Sequence, residues 1–442
     1  MRTTAAALDG AKRYVSPMPW PANRRSPPSI HPSSAGTILR RWPAASRNVV
    51  FLGLTSLLTD VSSESLTAVL PLYLVLGLHM TPMQFGLLDG LQHGATALVR
   101  VAGGLAADAR GHHKMVAWVG YAVSALCKLG LLLVGAAWGP IASLLLIDRL
   151  GKGIRTAPRD ALLALSSEPA HLAESFGVHR TFDTVGAVLG PVLAFAVLAA
   201  APGAYDAVFV ASFAAAVLGL AVLGLFVSDR RARGPQFPGA RPPHGRLRAV
   251  FATRRFPALL TAGGLLGLLT ASDAMIYLVL QQRGAVPATV FPLLFVGTAT
   301  SYLLLAVPAG RLGDRWGRHR VFLLGHLVVL LVYILLLRSA LGIAAVVVSL
   351  ALLGAYYAAT DGVLAALASS VLDDANLTTG LAVVGTTTAL ARLLASSLFG
   401  ALWTWHGPAF ALALFAAGLL LSLLLAARLF RAALPWMRCP TG

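Results

Sequence analysis

Charged residues are scarce in this chain of 442 residues: they make up 12% of it, whereas hydrophobic residues make up 57%. Soluble domains carry about 25% charged residues. The composition therefore excludes an ordinary soluble domain and predicts an all-α membrane protein. Cysteine is nearly absent, and Cys127 and Cys439 have neither the spacing of zinc ligands nor that of a disulfide framework.

Two further absences limit the function. Residues 1–47 contain no apolar core of the kind a signal peptide needs, and we expect a disordered basic cytoplasmic tail. No Gly-x-x-x-x-Gly-Lys-Ser/Thr motif is present, so ATP is not expected to drive the protein. We predict no cofactor and no metal site.

Apolar stretches dominate the remainder of the chain. Crossing a bilayer takes about 20 apolar residues, and twelve stretches reach that length as six plus six. A basic segment at 229–255 separates a predicted N-terminal six-helix bundle at 48–228 from a C-terminal one at 256–430, and 431–442 form a second tail. The predicted spans are 48–77, 83–107, 115–137, 140–164, 176–200, 204–228, 256–282, 287–310, 320–338, 341–368, 379–403 and 407–430.

Basic residues outnumber acidic ones, 35 Lys+Arg against 17 Asp+Glu. They concentrate in the tails, in the 229–255 linker and in loops on one side, while the opposite loops are short and nearly uncharged. The positive-inside rule explains this better than nucleic-acid binding does. We therefore predict a multi-pass protein of the bacterial inner membrane with both termini in the cytoplasm and with no nucleic-acid partner.

A polar hairpin occurs twice, between long apolar runs. Its residues recur at a constant offset of 206, from 104 to 310, 108 to 314 and 111 to 317, which predicts two related halves. The second copy reads Gly-x-x-x-Asp-Arg-x-Gly-Arg over residues 310–318. This pattern resembles the signature loop of the major facilitator superfamily. The predicted gating residues are Gly104, Asp108, Gly111, Gly310, Asp314, Arg315, Gly317 and Arg318.

The resemblance implies twelve transmembrane helices arranged as two pseudo-symmetric six-helix bundles. It also implies a midplane site for a small-molecule substrate, with access alternating between the two sides of the membrane. We expect a monomer whose partners are the substrate, protons and the lipid bilayer.

Ionisable residues inside spans are expensive unless they face a cavity or a partner, so each is a candidate site residue. Asp60 and Glu64 lie four residues apart on one face of the first span, a pair suited to reversible protonation. Arg149 begins an Arg-x-x-Lys-Gly sequence that resembles the family's Arg-x-x-Gln-Gly pattern, which is associated with proton coupling. Together with Asp273, these residues are the predicted coupling set.

The fourth span has an unusual density of charge. Asp148, Lys152, Arg155 and Arg159 follow a 4-3-4 spacing, which predicts one cationic face toward the substrate. An alternative is that these bases pair with acids of the first and fifth spans. The 206 offset also relates Arg155 to Asp361, which predicts a possible pairing between the halves. The predicted substrate cavity contains Lys152, Arg155, Arg180, Asp183, Asp361 and Arg392, and this set favours an anionic or zwitterionic solute.

The fifth span contains Gly186, Gly190 and Pro191, which resemble the helix-5 motif of exporters in the family. The same Gly-x-x-x-Gly spacing is also common helix packing. The overall prediction is a proton-coupled secondary transporter, with export by antiport favoured. Alternatives are an importer or facilitator of the same fold, a polytopic membrane enzyme, and a transporter-like receptor.

Overall fold

The computed structural model is helical throughout the part of the chain that it describes. It describes residues 47–92, 94–95, 113–135, 137–168, 172–229, 250–253, 255–283, 286–338, 342–361, 363–372 and 377–433. The gating residues predicted at 104, 108 and 111, most of the 229–255 linker and nearly all of both predicted tails lie outside these ranges.

Six helices lie in the described part of the N-terminal half. The first extends as α-helix to Leu72 and ends in a short π-helix, Tyr73–Gly77. Bounds are α1 Arg47–Leu72, α2 82–92, α3 His113–Leu131, α4 Trp138–Leu165, α5 Leu172–Ala200 and α6 Tyr205–Phe226.

The C-terminal half repeats this order, but two of its helices are broken. The predicted span 256–282 consists of two pieces, and so does the span 341–368. Bounds are α7a Phe256–Leu268, α7b Asp273–Gln282, α8 Pro292–Trp316, α9 Arg318–Leu336, α10a Ile343–Thr360, α10b Val363–Ser369, α11 Leu377–His406 and α12 Pro408–Ala433.

Ten of the predicted spans are confirmed as helices with the length and hydropathy of a bilayer-crossing segment. The two others are α2, whose described part ends beside residues left undescribed, and α4. Helix α4 has 28 residues, enough to cross a bilayer. It is not among the ten because it contains too many charged side chains to count as an apolar span. The protein is thus a helical multi-pass membrane protein.

The break in the seventh span is stabilised by one side chain. The hydroxyl of Tyr333 accepts a hydrogen bond from the backbone N–H of Ala271 at 2.7 Å and donates to the carbonyl of Leu269 at 3.1 Å. Broken backbone is tolerated at membrane depth only where its polar groups find such partners. The break places Asp273 at the first position of α7b.

Glycine brings α1 and α5 into close contact. A Cβ atom on Gly186 would lie 2.6 Å from the carbonyl oxygen of Leu57, and one on Gly190 would lie 2.8 Å from the backbone nitrogen of Ser65. Only a residue without a side chain permits this approach. The Gly-x-x-x-Gly pair therefore serves helix packing here, and it sets the face of α1 that carries Asp60 and Glu64.

The two halves meet where α2 begins and α11 ends. We call this the loop side, and we call the opposite side, where α1 begins, the terminal side. The backbone N–H of Met83 donates to the hydroxyl of Thr404 at 2.9 Å, and Ser396 donates to Asp89 at 2.5 Å. A Cβ on Gly90 would lie 2.6 Å from the carbonyl oxygen of Leu393. This α2–α11 contact holds the halves together on the loop side.

Candidate functional site

A cavity of about 540 Å³ lies between the halves. Helices α1 and α2 of the N-terminal half line one wall of the cavity. The other walls are lined by the C-terminal half, through α7a, α7b, α8, α9, α10a, α10b and α11. Its volume lies within the usual range of small-molecule sites. The ionisable groups that line it are Glu64, Asp89, Asp273, Asp361, His326 and Arg392.

Asp273 enters this cavity because the seventh span is broken just before it. The carboxylate accepts a hydrogen bond from the hydroxyl of Tyr357 on α10a at 2.9 Å. Its place in the first turn of α7b is favourable for a negative charge, because the free N–H groups of a helix point toward its N-terminus. Asp273 therefore has a polar setting in which either the charged or the protonated form can be held.

The acidic pair on α1 divides between two environments. Glu64 lines the cavity, and its carboxylate lies 3.8 Å from the ammonium group of Lys152 on α4. Asp60, one turn earlier, lies against α5, where a Cβ on Gly186 would approach its own Cβ to 3.0 Å. Lys152 is thus attached to α1 by an ion pair at the cavity wall.

Arg149 connects three helices of the N-terminal half. Its Nε donates to Gln92 on α2 at 2.8 Å, and its Nη2 donates to Thr67 on α1 at 3.3 Å. Thr67 in turn lines the cavity. The coupling role of Arg149 remains a prediction. Its position beside the cavity wall suits that role.

The predicted cationic face of α4 does not form. Asp148 is buried against α3, where it accepts hydrogen bonds from Lys128 at 3.2 Å and from Ser124. Arg155 is also buried, with its guanidinium 4.4 Å from the ring centre of Tyr121. The 4-3-4 spacing puts these residues on neighbouring positions, but α3 and α1 cover them separately. Arg155 and Asp361 are not brought together, since Arg155 packs inside the N-terminal half.

The predicted residues of α5 form a local cluster. Asp183 lies 3.5 Å from His179 and 3.6 Å from Arg180, which is exposed. Close by on α4, Arg159 donates to Asp160 at 2.9 Å and reaches Ser56 on α1 at 3.0 Å. The alternative prediction is that the α4 bases pair with acids of α1 and α5. It holds for Lys152, whose ammonium group pairs with Glu64 on α1.

The second signature loop is helical over 310–316, where it forms the end of α8, and only Gly317 separates α8 from α9. Gly317 has φ of 96°, a conformation that side chains rarely adopt, and Arg318 begins α9 directly after it. Arg318 pairs with Asp314 at 3.2 Å and donates to the carbonyl of Ala366 on α10b at 3.3 Å. Arg315 and Gly310 are exposed in this arrangement.

Sequence reasoning missed Asp89, which lines the cavity from α2. The signal was available, because an aspartate inside the predicted span 83–107 satisfies the same criterion that selected Asp60. Sequence reasoning also assigned no role to Lys128. It offered no reason to choose His326, which lines the cavity from α9. Among the residues that the structure describes, no group of three or more His, Cys, Asp and Glu side chains is placed to hold a metal ion.

Two bundles of membrane-spanning helices around a central cavity, with close contacts between α2 and α11 on the loop side, define the architecture of a secondary transporter. The chain belongs to the Major Facilitator Superfamily, whose sequence profile matches residues 52–285 and 273–441. It is therefore a transporter and not an enzyme.

Known proteins resemble the chain over most of its length. An uncharacterized MFS-type transporter of Methanocaldococcus jannaschii is 29% identical over 374 residues, which cover 81% of this chain and 89% of that protein. Among solved structures, a variant of the nucleoside transporter NupG superposes with a TM-score of 0.75 at 14% identity, covering 86% of this chain and 99% of that one. A POT family transporter in complex with 5-aminolevulinic acid gives 0.72 at 12% identity, covering 89% and 97%.

Proposed function

We propose that the protein is a proton-coupled antiporter that exports a small solute by alternating access. The observation that carries the proposal is the position of Asp273: it lines the central cavity at a helix break, next to a neutral hydrogen-bond donor. Contacts on the loop side between α2 and α11 correspond to a state whose cavity faces the terminal side.

Antiport follows from one carboxylate with two mutually exclusive partners. An unpaired charge in the membrane interior is expensive. The cavity therefore changes the side to which it opens most readily when a proton or a cationic group of the substrate neutralises Asp273. Since only one of these can occupy it at a time, the two move in opposite directions. Asp60 and Glu64 are further coupling candidates, because a proton on Glu64 would release Lys152 from its 3.8 Å contact.

The charge of the cavity differs from the one that the sequence predicted. Among the described lining residues, Glu64 is paired with Lys152, and three further carboxylates, Asp89, Asp273 and Asp361, face the single guanidinium of Arg392, while Arg155 is engaged with Tyr121. We therefore propose a substrate with a cationic group, either an amine or a zwitterion, in place of a purely anionic solute.

The orientation follows from the positive-inside rule. The terminal side carries Arg311, Arg315, Arg318 and Arg320 around the second signature loop, and Arg428 and Arg431 at the end of α12. We propose that this side faces the cytoplasm of a bacterial cell and that the protein is a monomer in the inner membrane. A gradient-independent facilitator or importer of the same fold is the alternative.

The test begins with a screen for small molecules that stabilise the purified protein against thermal unfolding. A labelled hit is then followed into proteoliposomes under an imposed pH gradient. Asp273→Asn should abolish uphill accumulation and retain a weaker exchange of labelled for unlabelled solute, because the amide cannot take up the exchanged proton while Asp89 and Asp361 still offer counter-charge. Asp206→Asn, at the exposed start of α6, is the matched control and should behave as the wild type.

The same assay separates the coupling candidates. If Asp60→Asn alone lost the pH dependence and Asp273→Asn kept it, the coupling group would lie on α1. Accumulation that survived collapse of the pH gradient in the wild type would contradict antiport and support the facilitator.

A further inference from the structure

A second, smaller chamber of about 190 Å³ adjoins the central cavity inside the C-terminal half. It lies between α7b, α8 and α10a, and it shares four lining residues with the central cavity. These shared residues are Asp273, Phe295, Tyr357 and Asp361. The two spaces are therefore neighbours that share part of their walls.

The walls of this side chamber combine aromatic rings with carboxylates. Phe295, Tyr277, Tyr302 and Tyr357 supply the rings, and Asp273 and Asp361 supply the charges. Tyr277 and Phe295 lie 4.8 Å apart between ring centres in an edge-to-face arrangement. Among the described residues that line the chamber, there is no basic side chain.

The hydrogen-bonding groups of the chamber accept more readily than they donate. The hydroxyl of Tyr277 donates to Thr298 at 2.6 Å, and that of Tyr357 donates to Asp273 at 2.9 Å. The phenolic protons of Tyr277 and Tyr357 are thus committed to the protein. Rings with electron-rich faces, together with carboxylates, are the combination that attracts substituted ammonium groups.

Asp361 occupies the junction of three spaces. It lies at the break between α10a and α10b, and it lines the central cavity, the side chamber and a further cavity of about 320 Å³. That third cavity extends to Asp314 and Arg318 of the second signature loop.

We propose that the side chamber binds the substrate's cationic head as an alkylammonium group, with Asp273 and Asp361 as counter-charges and Phe295 and Tyr302 as aromatic walls. The proposal rests on the transport function above and names its substrate class: organic amines and quaternary ammonium compounds. The remainder of the substrate would occupy the central cavity.

The test uses three probes of similar size and different charge on the purified full-length protein in detergent. Benzyltrimethylammonium is cationic, benzyl methyl sulfone is neutral, and phenylmethanesulfonate is anionic. Equilibrium binding should give a dissociation constant for the cation at least about tenfold below that of the sulfone. The anion should bind most weakly.

Variants locate the binding. Asp361→Asn, at an exposed position, should weaken cation binding by about tenfold and leave sulfone binding unchanged. Phe295→Leu keeps the apolar wall without the ring. This variant should weaken cation binding by about threefold to thirtyfold. Asp206→Asn should change neither. Size-exclusion profiles and unfolding midpoints check that each variant is folded.

Equal affinity for the cation and the sulfone would overturn the proposal. So would cation binding that both variants leave unchanged, because the site would then lie elsewhere. If the cation fails to bind while another solute is still exchanged for protons in proteoliposomes, the chamber is rejected and antiport stands. Specific cation binding without any proton-linked flux would reject antiport and retain the chamber.

Discussion

The two halves share a fold but use their charged residues differently. In the N-terminal half, Lys128 and Asp148 form a pair whose side chains are only 2% and 6% exposed, and Arg155 is buried against Tyr121. In the C-terminal half, Asp361 and Arg392 are exposed to the central cavity. The N-terminal half thus buries Lys128, Asp148 and Arg155 within its own bundle and presents Glu64 and Asp89 to the cavity, whereas Asp273, Asp361 and Arg392 of the C-terminal half all line it.

This difference suggests a division of labour. A half whose charges are satisfied internally moves as a rigid body and offers its partner a constant surface. A half with broken helices and accessible carboxylates can change its interactions when a proton or solute binds. Variants in the N-terminal half should therefore affect stability first, and matched variants in the C-terminal half should affect transport first.

The largest expected effect comes from Lys128→Met. Removal of one partner leaves Asp148 buried with its charge uncompensated, which costs about 3–5 kcal/mol for pairs of this kind. Equilibrium unfolding in detergent measures this change in the free energy of unfolding. The double variant Lys128→Met with Asp148→Leu should recover most of the loss.

Arg392→Met is the matched change in the other half. It should alter the free energy of unfolding by no more than about 0.5 kcal/mol, as is usual for accessible side chains, while it changes solute flux. A comparable loss of stability in both single variants would remove the proposed contrast between the halves.

An intermediate effect is expected from Gly190→Ala on α5. The new methyl group would lie 2.8 Å from atoms of Glu64 and Ser65, so α1 must shift. Overpacking of this kind costs about 1–3 kcal/mol. Gly177→Ala on the same helix has open space around it and should gain up to about 1 kcal/mol, because alanine favours helix. Thermal unfolding of the two variants should shift in opposite directions.

A small effect on stability is also expected from Asp314→Asn. Its 3.2 Å pair with Arg318 is solvent-exposed, and such pairs contribute about 0–1 kcal/mol. The effect on conformation should be larger, since the family resemblance implies that this loop holds the terminal side closed in the opposite state. Cysteine labelling from each side should show a shift toward the state open on the terminal side. An unchanged labelling pattern would argue against a gating role.

Several features were accessible from sequence because they depend on local composition. Ten of the predicted spans appear as helices that are long and apolar enough to cross a bilayer, since a long apolar run has few alternatives to a helix in lipid. The repeat at an offset of 206 predicted two related halves, and the second signature loop was located by its residues alone. Asp273 and Asp361 were selected because a charge in an apolar run is costly.

Tertiary structure decided which charges meet. Counting along a helix gives the depth of Arg155 or Asp148, but not the neighbouring helix that covers it. Their partners Tyr121 and Lys128 belong to α3, and the ion-pair partner of Lys152 is 88 residues away at Glu64. The helix break before Asp273 likewise depends on a distant partner, Tyr333. The sequence by itself therefore determined the fold and the depth of each charge, while the rotation and packing of distant helices determined which charges are buried in pairs and which line the cavity.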